Sequence, residues 1–251
     1  MSIVIKRIKT GIKGLDESVG GGIPENNLVL LSGQAGTGKT ILGLQFLVKG
    51  ITDYKERGLF INFEERREDL EKQAETFGWD LTALENKGML KILDFRITKH
   101  IDVKEILDKL VEEVESFKPK RMLLDSISTF GVWAEIRSSL EFLESIGFQD
   151  LKEAQYIPNS EAITRGAIAE TLGRIKDTGV TALIISEMAE NTGYLSRDTV
   201  SEFLADGVIL LKQMTIGESR NRTIEVRKMR QTEIFGGIRS YSITKKGINL
   251  E

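Results

Sequence analysis

Residues 33–40 read GQAGTGKT and match the pattern G-x-x-x-x-G-K-[ST] at every fixed position. In this pattern the glycines let backbone N–H groups surround a phosphate, and the helix that follows points its N-terminal dipole at the anion. The lysine reaches the β- and γ-phosphates, and the last hydroxyl binds Mg²⁺. A plain glycine-rich turn is the alternative. We predict a nucleotide site made of Gly33, Gln34, Ala35, Gly36, Thr37, Gly38, Lys39 and Thr40, in which Lys39 is also catalytic and Thr40 binds the metal.

A carboxylate ends the apolar run at 121–124, which reads RMLL. Open parallel sheets bind ligands at the carboxyl ends of their strands. Asp125 is therefore predicted to lie beside the glycine-rich loop and to hold Mg²⁺ through a water molecule, while Thr40 binds the ion directly. The alternative is an aspartate that caps a turn.

Two adjacent glutamates, Glu64 and Glu65, follow the apolar run Leu59–Phe63. A carboxylate at that position can polarise a water, or an incoming hydroxyl, towards the γ-phosphate. We predict a catalytic role for this pair, with Glu64 as the first candidate. The alternative is a solvated helix start, since glutamate is favoured in the first turn of a helix.

Basic residues are concentrated in 212–230, which contains six basic and two acidic side chains. This segment could line a channel for single-stranded nucleic acid, reach into the nucleotide site of a neighbouring subunit, or form a solvated surface. The segment contains no aromatic residue, which weakens the stacking mode of nucleic-acid binding.

The elements that would position these residues alternate along the chain. Short apolar runs predict buried strands at 28–32, 59–63, 90–94, 121–125, 182–186 and 208–212. Helical periodicity lies between them at 66–77, 103–117 and 159–178, and it also follows the glycine-rich loop. This alternation predicts an α/β fold with a mostly parallel central sheet flanked by helices. Strand-like stretches at 223–228 and 240–244 predict a C-terminal antiparallel extension.

The bulk composition is that of an ordinary globular chain. The 251 residues are 40% hydrophobic and 29% charged, the net charge is −3, and there is no cysteine. Disulfides and thiolate metal sites are therefore excluded, and a dedicated nucleic-acid binder is not indicated. The sequence contains no signal-like start and no apolar window of the ~18 residues that span a bilayer, so we expect a cytoplasmic protein without a membrane segment.

No linker or internal repeat divides the sequence, and we expect a single domain over residues 1–251. About fifty residues separate the strands that end at Asp125 and begin at Ala182. We interpret about 131–165, and Leu140–Ile157 in particular, as a helical insertion that could bind an unknown protein partner.

Several of these segments resemble KaiC-domain proteins, a branch of the RecA superfamily with many single-domain archaeal members. The resemblance begins with residues 8–47 and continues in order through the segments LFINFEERREDLEKQAETFGWDL, RMLLDSISTF, TALIISE, EFLADGVILL and RNRTIEVRKMRQTEIFGGIRSYSITKKGINL. It covers most of the chain except about 131–165.

The resemblance implies a RecA-like P-loop NTPase core that holds ATP and Mg²⁺ between the subunits of a ring, usually a hexamer. It implies that residues 33–40 form the phosphate-binding loop, that Asp125 ends the Walker B strand, and that Glu64 is the general base. It also implies that Lys228 and Arg230 contact the phosphates of ATP in the neighbouring subunit.

One departure concerns autophosphorylation. Some family members have a second domain that phosphorylates itself on an adjacent Ser-Thr pair, and the equivalent positions here are Glu202 and Phe203. Our leading hypothesis is therefore a slow ATPase of a ring oligomer with a regulatory or signalling role. A DNA-binding ATPase like the RecA paralogues and an autophosphorylating kinase are the alternatives, and nucleic acid is not the favoured partner.

Overall fold

The structure is a computed structural model that describes residues 4–95, 103–146, 160–188, 193–216 and 219–251. Within these ranges the helices are α1 (Leu15–Ser18), α2 (Lys39–Tyr54), α3 (Arg67–Glu75), α4 (Leu81–Asn86), α5 (Val103–Phe117), α6 (Ile127–Ile146), α7 (Ser160–Asp177) and α8 (Ser201–Leu204). The strands are β1 (Arg7–Ile8), β2 (Ile23–Pro24), β3 (Leu28–Gly33), β4 (Gly58–Asn62), β5 (Leu90–Asp94), β6 (Arg121–Asp125), β7 (Thr181–Glu187), β8 (Gly207–Ile216), β9 (Ser219–Met229), β10 (Ile238–Thr244) and β11 (Gly247–Leu250).

Nine of the described strands form one sheet in the order β11-β10-β9-β8-β3-β7-β6-β4-β5. The strands from β8 to β5 in this order pair in parallel, and β9, β10 and β11 continue the sheet with antiparallel pairs. The predicted α/β class with its parallel sheet and antiparallel C-terminal extension is confirmed. Because β3, β7, β6 and β4 are neighbours, their carboxyl ends meet at one edge of the sheet.

Each face of the sheet carries its own apolar core. One core joins α2, α3 and α4 to the sheet and includes Phe46, Leu70 and Ile209. The other joins α5, α6 and α7 to the opposite face and includes Leu110, Phe130 and Leu210. Burial on both faces explains why the central strands read as continuous apolar runs rather than as alternating patterns.

The predicted elements lie within a few residues of the observed ones. Strands β5 and β6 and helix α5 have the predicted bounds, whereas β8 and β9 form a longer hairpin than 208–212 and 223–228 indicated. The described parts of the segment 131–165 are helical, in α6 and α7, and residues 147–159 lie outside the described residues. Within the described part of the chain, no helix combines the length and the apolar character that a membrane crossing requires.

Candidate nucleotide-binding site

The glycine-rich loop connects β3 to α2, and two of its glycines adopt left-handed backbone conformations. Gly36 has φ +77° and Gly38 has φ +89°, and α2 begins directly after Gly38. A Cβ at Gly33 would lie 2.5 Å from the Leu211 carbonyl oxygen, so this position also has no room for a side chain. The loop therefore turns sharply onto the N-terminus of α2, as a phosphate-binding loop requires.

Side chains fix the centre of this loop. The buried Thr37 hydroxyl donates a hydrogen bond to the Gln34 carbonyl at 2.8 Å, and the Tyr241 hydroxyl donates to the Thr37 carbonyl. Burial raises the pKa of Tyr241 to about 12. Tyr241 lies in β10, so the antiparallel extension holds the loop in place, a role that the sequence analysis did not identify.

The Lys39 side chain lies over the loop that precedes it. Its ammonium donates hydrogen bonds to the carbonyl oxygens of Gly33 and Gln34, each at 3.0 Å. Burial lowers the pKa of Lys39, and the nearby carboxylates of Glu187, Asp125 and Glu64 oppose that shift. An anion bound in the loop would add to the stabilisation of the charged form.

Thr40 and Asp125 meet at the sheet edge as the sequence predicted. The Thr40 hydroxyl donates a hydrogen bond of 2.7 Å to the Asp125 carboxylate, which is almost fully buried. Burial, assisted by the charges of Glu64 and Glu65, raises the pKa of Asp125 to about 7, even though the Thr40 hydrogen bond and the Lys39 charge act in the opposite direction.

A hydroxyl and a carboxylate in contact are a donor set that suits Mg²⁺, which takes few protein ligands and completes its shell with phosphates and water. The described residues contain no cluster of three or more His, Cys, Asp or Glu side chains that could hold a metal ion by themselves.

Glu64 and Glu65 lie on a turn that the buried Asn62 side chain organises. The Asn62 side-chain oxygen Oδ1 accepts from the backbone N–H groups of Glu64 and Glu65, both at 3.2 Å. Its amide nitrogen donates to the Glu65 carbonyl and to the Asp94 carboxylate, both at 2.7 Å. Burial raises the pKa of Glu65, and the neighbouring Glu64 and Asp69 add to this shift. Asn62, which was not predicted as a site residue, pairs in register with Asp94 on β5 and Asp125 on β6.

One cleft of about 360 Å³ is bordered by eight of the predicted site residues, namely Ala35, Gly36, Gly38, Lys39, Thr40, Glu64, Glu65 and Asp125. Its volume is within the usual range for a small-molecule site. Glu187, Gln73, Arg222 and Ile243 line it as well. Gln73 Oε1 and Arg222 Nε are buried without a hydrogen-bond partner among the described residues. A ligand in the cleft can satisfy such an acceptor and such a donor, because buried polar atoms normally have partners.

Lys228 and Arg230 are absent from the described lining of this cleft. They lie at the other end of the strands, near Leu28 at the start of β3. Lys228 donates to the carbonyl oxygens of Ala205 at 2.6 Å and Glu202 at 3.3 Å, and Arg230 pairs with Asp206 at 3.1 Å. The structure therefore does not bring these two cations to the nucleotide cleft of their own chain.

A bulge in the β8–β9 hairpin contributes to this separation. The register shifts by one residue between Val208 and Ile209, so Lys228 pairs with Val208 whereas Arg222 pairs with Gln213. Since side chains alternate along a strand, Arg222 and Lys228 project to opposite faces of the sheet.

The basic segment 212–230 is consequently not one surface. Glu225 forms ion pairs with Lys212 and Arg227 on the hairpin, and the Arg220 side chain is outside the described side chains. Only Arg222 reaches the cleft among its described basic residues.

Comparisons with known proteins agree with this geometry. A family model described as "ATPase: KaiC" matches residues 8–146 and 151–251, which include most of the segment 131–165. A solved structure, the KaiC-like protein PH0186 from the hyperthermophilic archaeon Pyrococcus horikoshii, superposes with a TM-score of 0.81 at 30% identity. That match covers 99% of this chain and 100% of the other.

Two of the similar curated proteins are circadian clock oscillator proteins KaiC. The protein from Parathermosynechococcus lividus is 33% identical over 98% of this chain and 42% of its own length. The protein from Synechococcus elongatus is 31% identical over 98% of this chain and 44% of its own length. The chain thus spans less than half the length of these relatives. With the fold, the cleft and these matches in agreement, the chain belongs to the KaiC ATPase family.

Proposed function

We propose that this chain binds Mg-ATP in the cleft between residues 33–40 and Asp125 and hydrolyses it slowly at subunit interfaces of a ring oligomer, such as a hexamer. The observation that carries this proposal is the contact between Thr40 and Asp125 beside the loop, with the carboxylates of Glu64 and Glu65 bordering the same cleft. The ring and a regulatory or signalling role rest on the similarity to clock proteins.

In this proposal, different residues of the chain bind the phosphates, activate the water molecule and hold Mg²⁺. The loop N–H groups and the α2 N-terminus hold the phosphates, and Lys39 neutralises charge that develops between the β- and γ-phosphates. The exposed Glu64 carboxylate orients a water molecule and accepts its proton. Thr40 and Asp125 would hold Mg²⁺, which neutralises phosphate charge. Positioning and electrostatics therefore supply the acceleration.

Lys228 and Arg230 complete the site from the neighbouring subunit in this proposal. Their charged groups contact residues 202–206 at the edge of the sheet opposite the cleft, where a second chain can receive them. A cation that stabilises transition-state charge in trans is the arrangement known as an arginine finger.

The two alternatives receive less support from the structure. The described basic side chains of the segment 212–230 lie on different faces of the sheet, which does not favour the continuous cationic channel that single-stranded nucleic acid would need. At the position equivalent to the acceptor pair, Glu202 is buried and accepts hydrogen bonds from Ser196 and Leu195.

A test follows both products from ATP labelled on the γ-phosphate. We expect wild-type protein to release free phosphate in the presence of Mg²⁺. Lys39→Ala should lose ATP binding and turnover, and Glu64→Gln should retain binding but lose turnover. Glu68→Gln is the matched control, because Glu68 is an exposed glutamate in the first turn of α3.

The same assay separates the alternatives. Stable label on the wild-type protein would identify an autokinase instead, and full turnover in Glu64→Gln would exclude Glu64 as the base. Turnover per subunit that stays constant on dilution to monomers would contradict the role of the subunit interface. Salt-dependent binding of a single-stranded oligonucleotide would support the DNA-binding alternative.

A further inference from the structure

The Asp206 carboxylate is a buried junction at the sheet edge that carries Arg230. Asp206 is 5% exposed. One carboxylate oxygen accepts from the Lys176 ammonium at 2.7 Å and from the Arg230 guanidinium at 3.1 Å. The other accepts from the backbone N–H of Leu28 at 3.1 Å. A carboxylate this deeply buried is stable as an anion only with such partners.

Backbone hydrogen bonds tie the same three segments together. The Asp206 N–H donates to the Leu28 carbonyl at 2.8 Å, and the Arg230 N–H donates to the Asp206 carbonyl at 2.9 Å. Leu28 is the first residue of β3, and Gly33 at its other end begins the phosphate-binding loop. Asp206 therefore contacts both β3, which leads to the cleft of its own chain, and Arg230, which is proposed to act in the cleft of the next chain.

Lys176 is a second cationic partner of Asp206, beside Arg230. Because Lys176 contacts the same oxygen, Asp206 keeps a cationic partner when a phosphate attracts Arg230. The Lys176, Lys228 and Arg230 side chains carry three positive charges close to the single negative charge of Asp206. Among the described residues, the Arg230 guanidinium bonds through Nη1, and its side chain is 55% exposed.

We propose that Asp206 is a positioning residue for Arg230, which it orients towards the nucleotide phosphates of the neighbouring subunit. This inference rests on the proposed trans-acting role of Arg230. A long side chain held at one nitrogen has already lost part of its rotamer freedom, so binding the phosphate costs less entropy. The remaining N–H groups of the planar guanidinium keep a fixed orientation for a phosphate.

A purely structural role is the competing explanation, since Asp206 also holds Leu28 at the start of β3. The two roles affect different subunits of a ring. Loss of the bond to Leu28 would damage the cleft of the altered chain, whereas loss of the bond to Arg230 would damage the cleft of its neighbour.

A subunit-mixing experiment uses this difference. Asp206→Asn, Arg230→Ala, the double variant and the control Asp177→Asn are assayed for ATP hydrolysis at concentrations where the oligomer is complete. Asp177 is an exposed carboxylate in the residue after Lys176. Each variant is then mixed with an excess of Lys39→Ala chains, which we expect not to hydrolyse ATP but which carry an intact Asp206 and Arg230.

We expect Asp206→Asn to lower kcat about tenfold or more with little change in KM, the size of effect that misplacement of a catalytic group produces. The double variant should be no slower than Arg230→Ala, and Asp177→Asn should match the wild type. Mixing with Lys39→Ala should restore the turnover of Asp206→Asn subunits, because the neighbouring chain supplies a correctly held Arg230.

The outcomes separate this inference from the proposed function. Wild-type turnover in Arg230→Ala would remove the trans-acting role itself. A slow Arg230→Ala with an unaffected Asp206→Asn would overturn only the inference. So would a slow Asp206→Asn that mixing does not restore, since the defect would then lie in its own cleft. If Asp206→Asn does not assemble, Asp206→Glu, which keeps the charge but displaces it, is subject to the same mixing test.

Discussion

Replacement of Asn62 by alanine tests whether a buried amide sets the geometry of the proposed catalytic glutamates. The Asn62 side chain makes four hydrogen bonds, to the N–H groups of Glu64 and Glu65, to the Glu65 carbonyl and to the Asp94 carboxylate. At about 1 kcal/mol each, and with water from the cleft replacing some of them, the free energy of unfolding should fall by about 2–3 kcal/mol. At 2–4 °C per kcal/mol for a domain of this size, Tm should fall by about 5–10 °C.

The effect on turnover should be larger than the effect on binding. A shift of Glu64 by about 1 Å can reduce kcat about 100-fold. The loop at 33–40 and the pair of Thr40 with Asp125 stay intact, so KM for Mg-ATP should change little. Steady-state hydrolysis well below the melting temperature measures kcat and KM, and calorimetry measures Tm.

A double variant in which the amide and the carboxylate exchange positions 62 and 94 serves as the conservative control. Asn62→Asp alone keeps an oxygen that can accept from the N–H groups of Glu64 and Glu65 but places two carboxylates in contact, so kcat should fall. Adding Asp94→Asn restores a donor and should recover part of that loss. A kcat for Asn62→Ala within twofold of the wild type would refute the reasoning. So would an equal loss in the single and the swapped variants.

Three further predictions concern the metal, the core and the support of the loop. Thr40→Val should raise the Mg²⁺ concentration needed for half-maximal hydrolysis, measured by magnesium titration, and EDTA should abolish turnover reversibly in the wild type. Gly50→Ala should lower the free energy of unfolding in urea by about 2–3 kcal/mol, because its Cβ would lie 2.2 Å from the buried Arg121 Nε. The control is Gly173→Ala, where a Cβ meets no atom within 4 Å and a gain of about 0.5–1 kcal/mol is expected. Tyr241→Phe should weaken ATP binding, measured by calorimetry, because the Thr37 carbonyl loses its donor.

The parts of the site that local sequence determines were predictable. The loop at 33–40 has glycines at positions 36 and 38, where the backbone adopts a positive φ that other residues rarely adopt. Asp125 follows an apolar run whose position in a parallel sheet brings it to the loop, and the observed contact with Thr40 agrees with that expectation. The roles of these residues in nucleotide binding and hydrolysis stay predictions, because the positions of the side chains do not by themselves show activity.

The missed residues depend on pairing between distant segments. Tyr241 reaches Thr37 across 204 residues of sequence, and Asn62 acquires its role from the register of β4 with β5. A pattern of apolar residues within one strand does not reveal such partners. The bulge between Val208 and Ile209 is a similar case, because a shift of one residue decides which face of the sheet Arg222 and Lys228 occupy.

The charge of the cleft gives an independent reason why a single chain should be a poor ATPase. Its described lining contains four carboxylates, on Glu64, Glu65, Asp125 and Glu187, against the two cationic side chains of Lys39 and Arg222. A triphosphate adds further negative charge to this cleft, so cations from outside the chain would favour its binding. Mg²⁺ can supply part of that charge. The cations around Arg230 lie away from the cleft of their own chain, and in the proposed ring they would complement the negative charge of the next subunit's cleft.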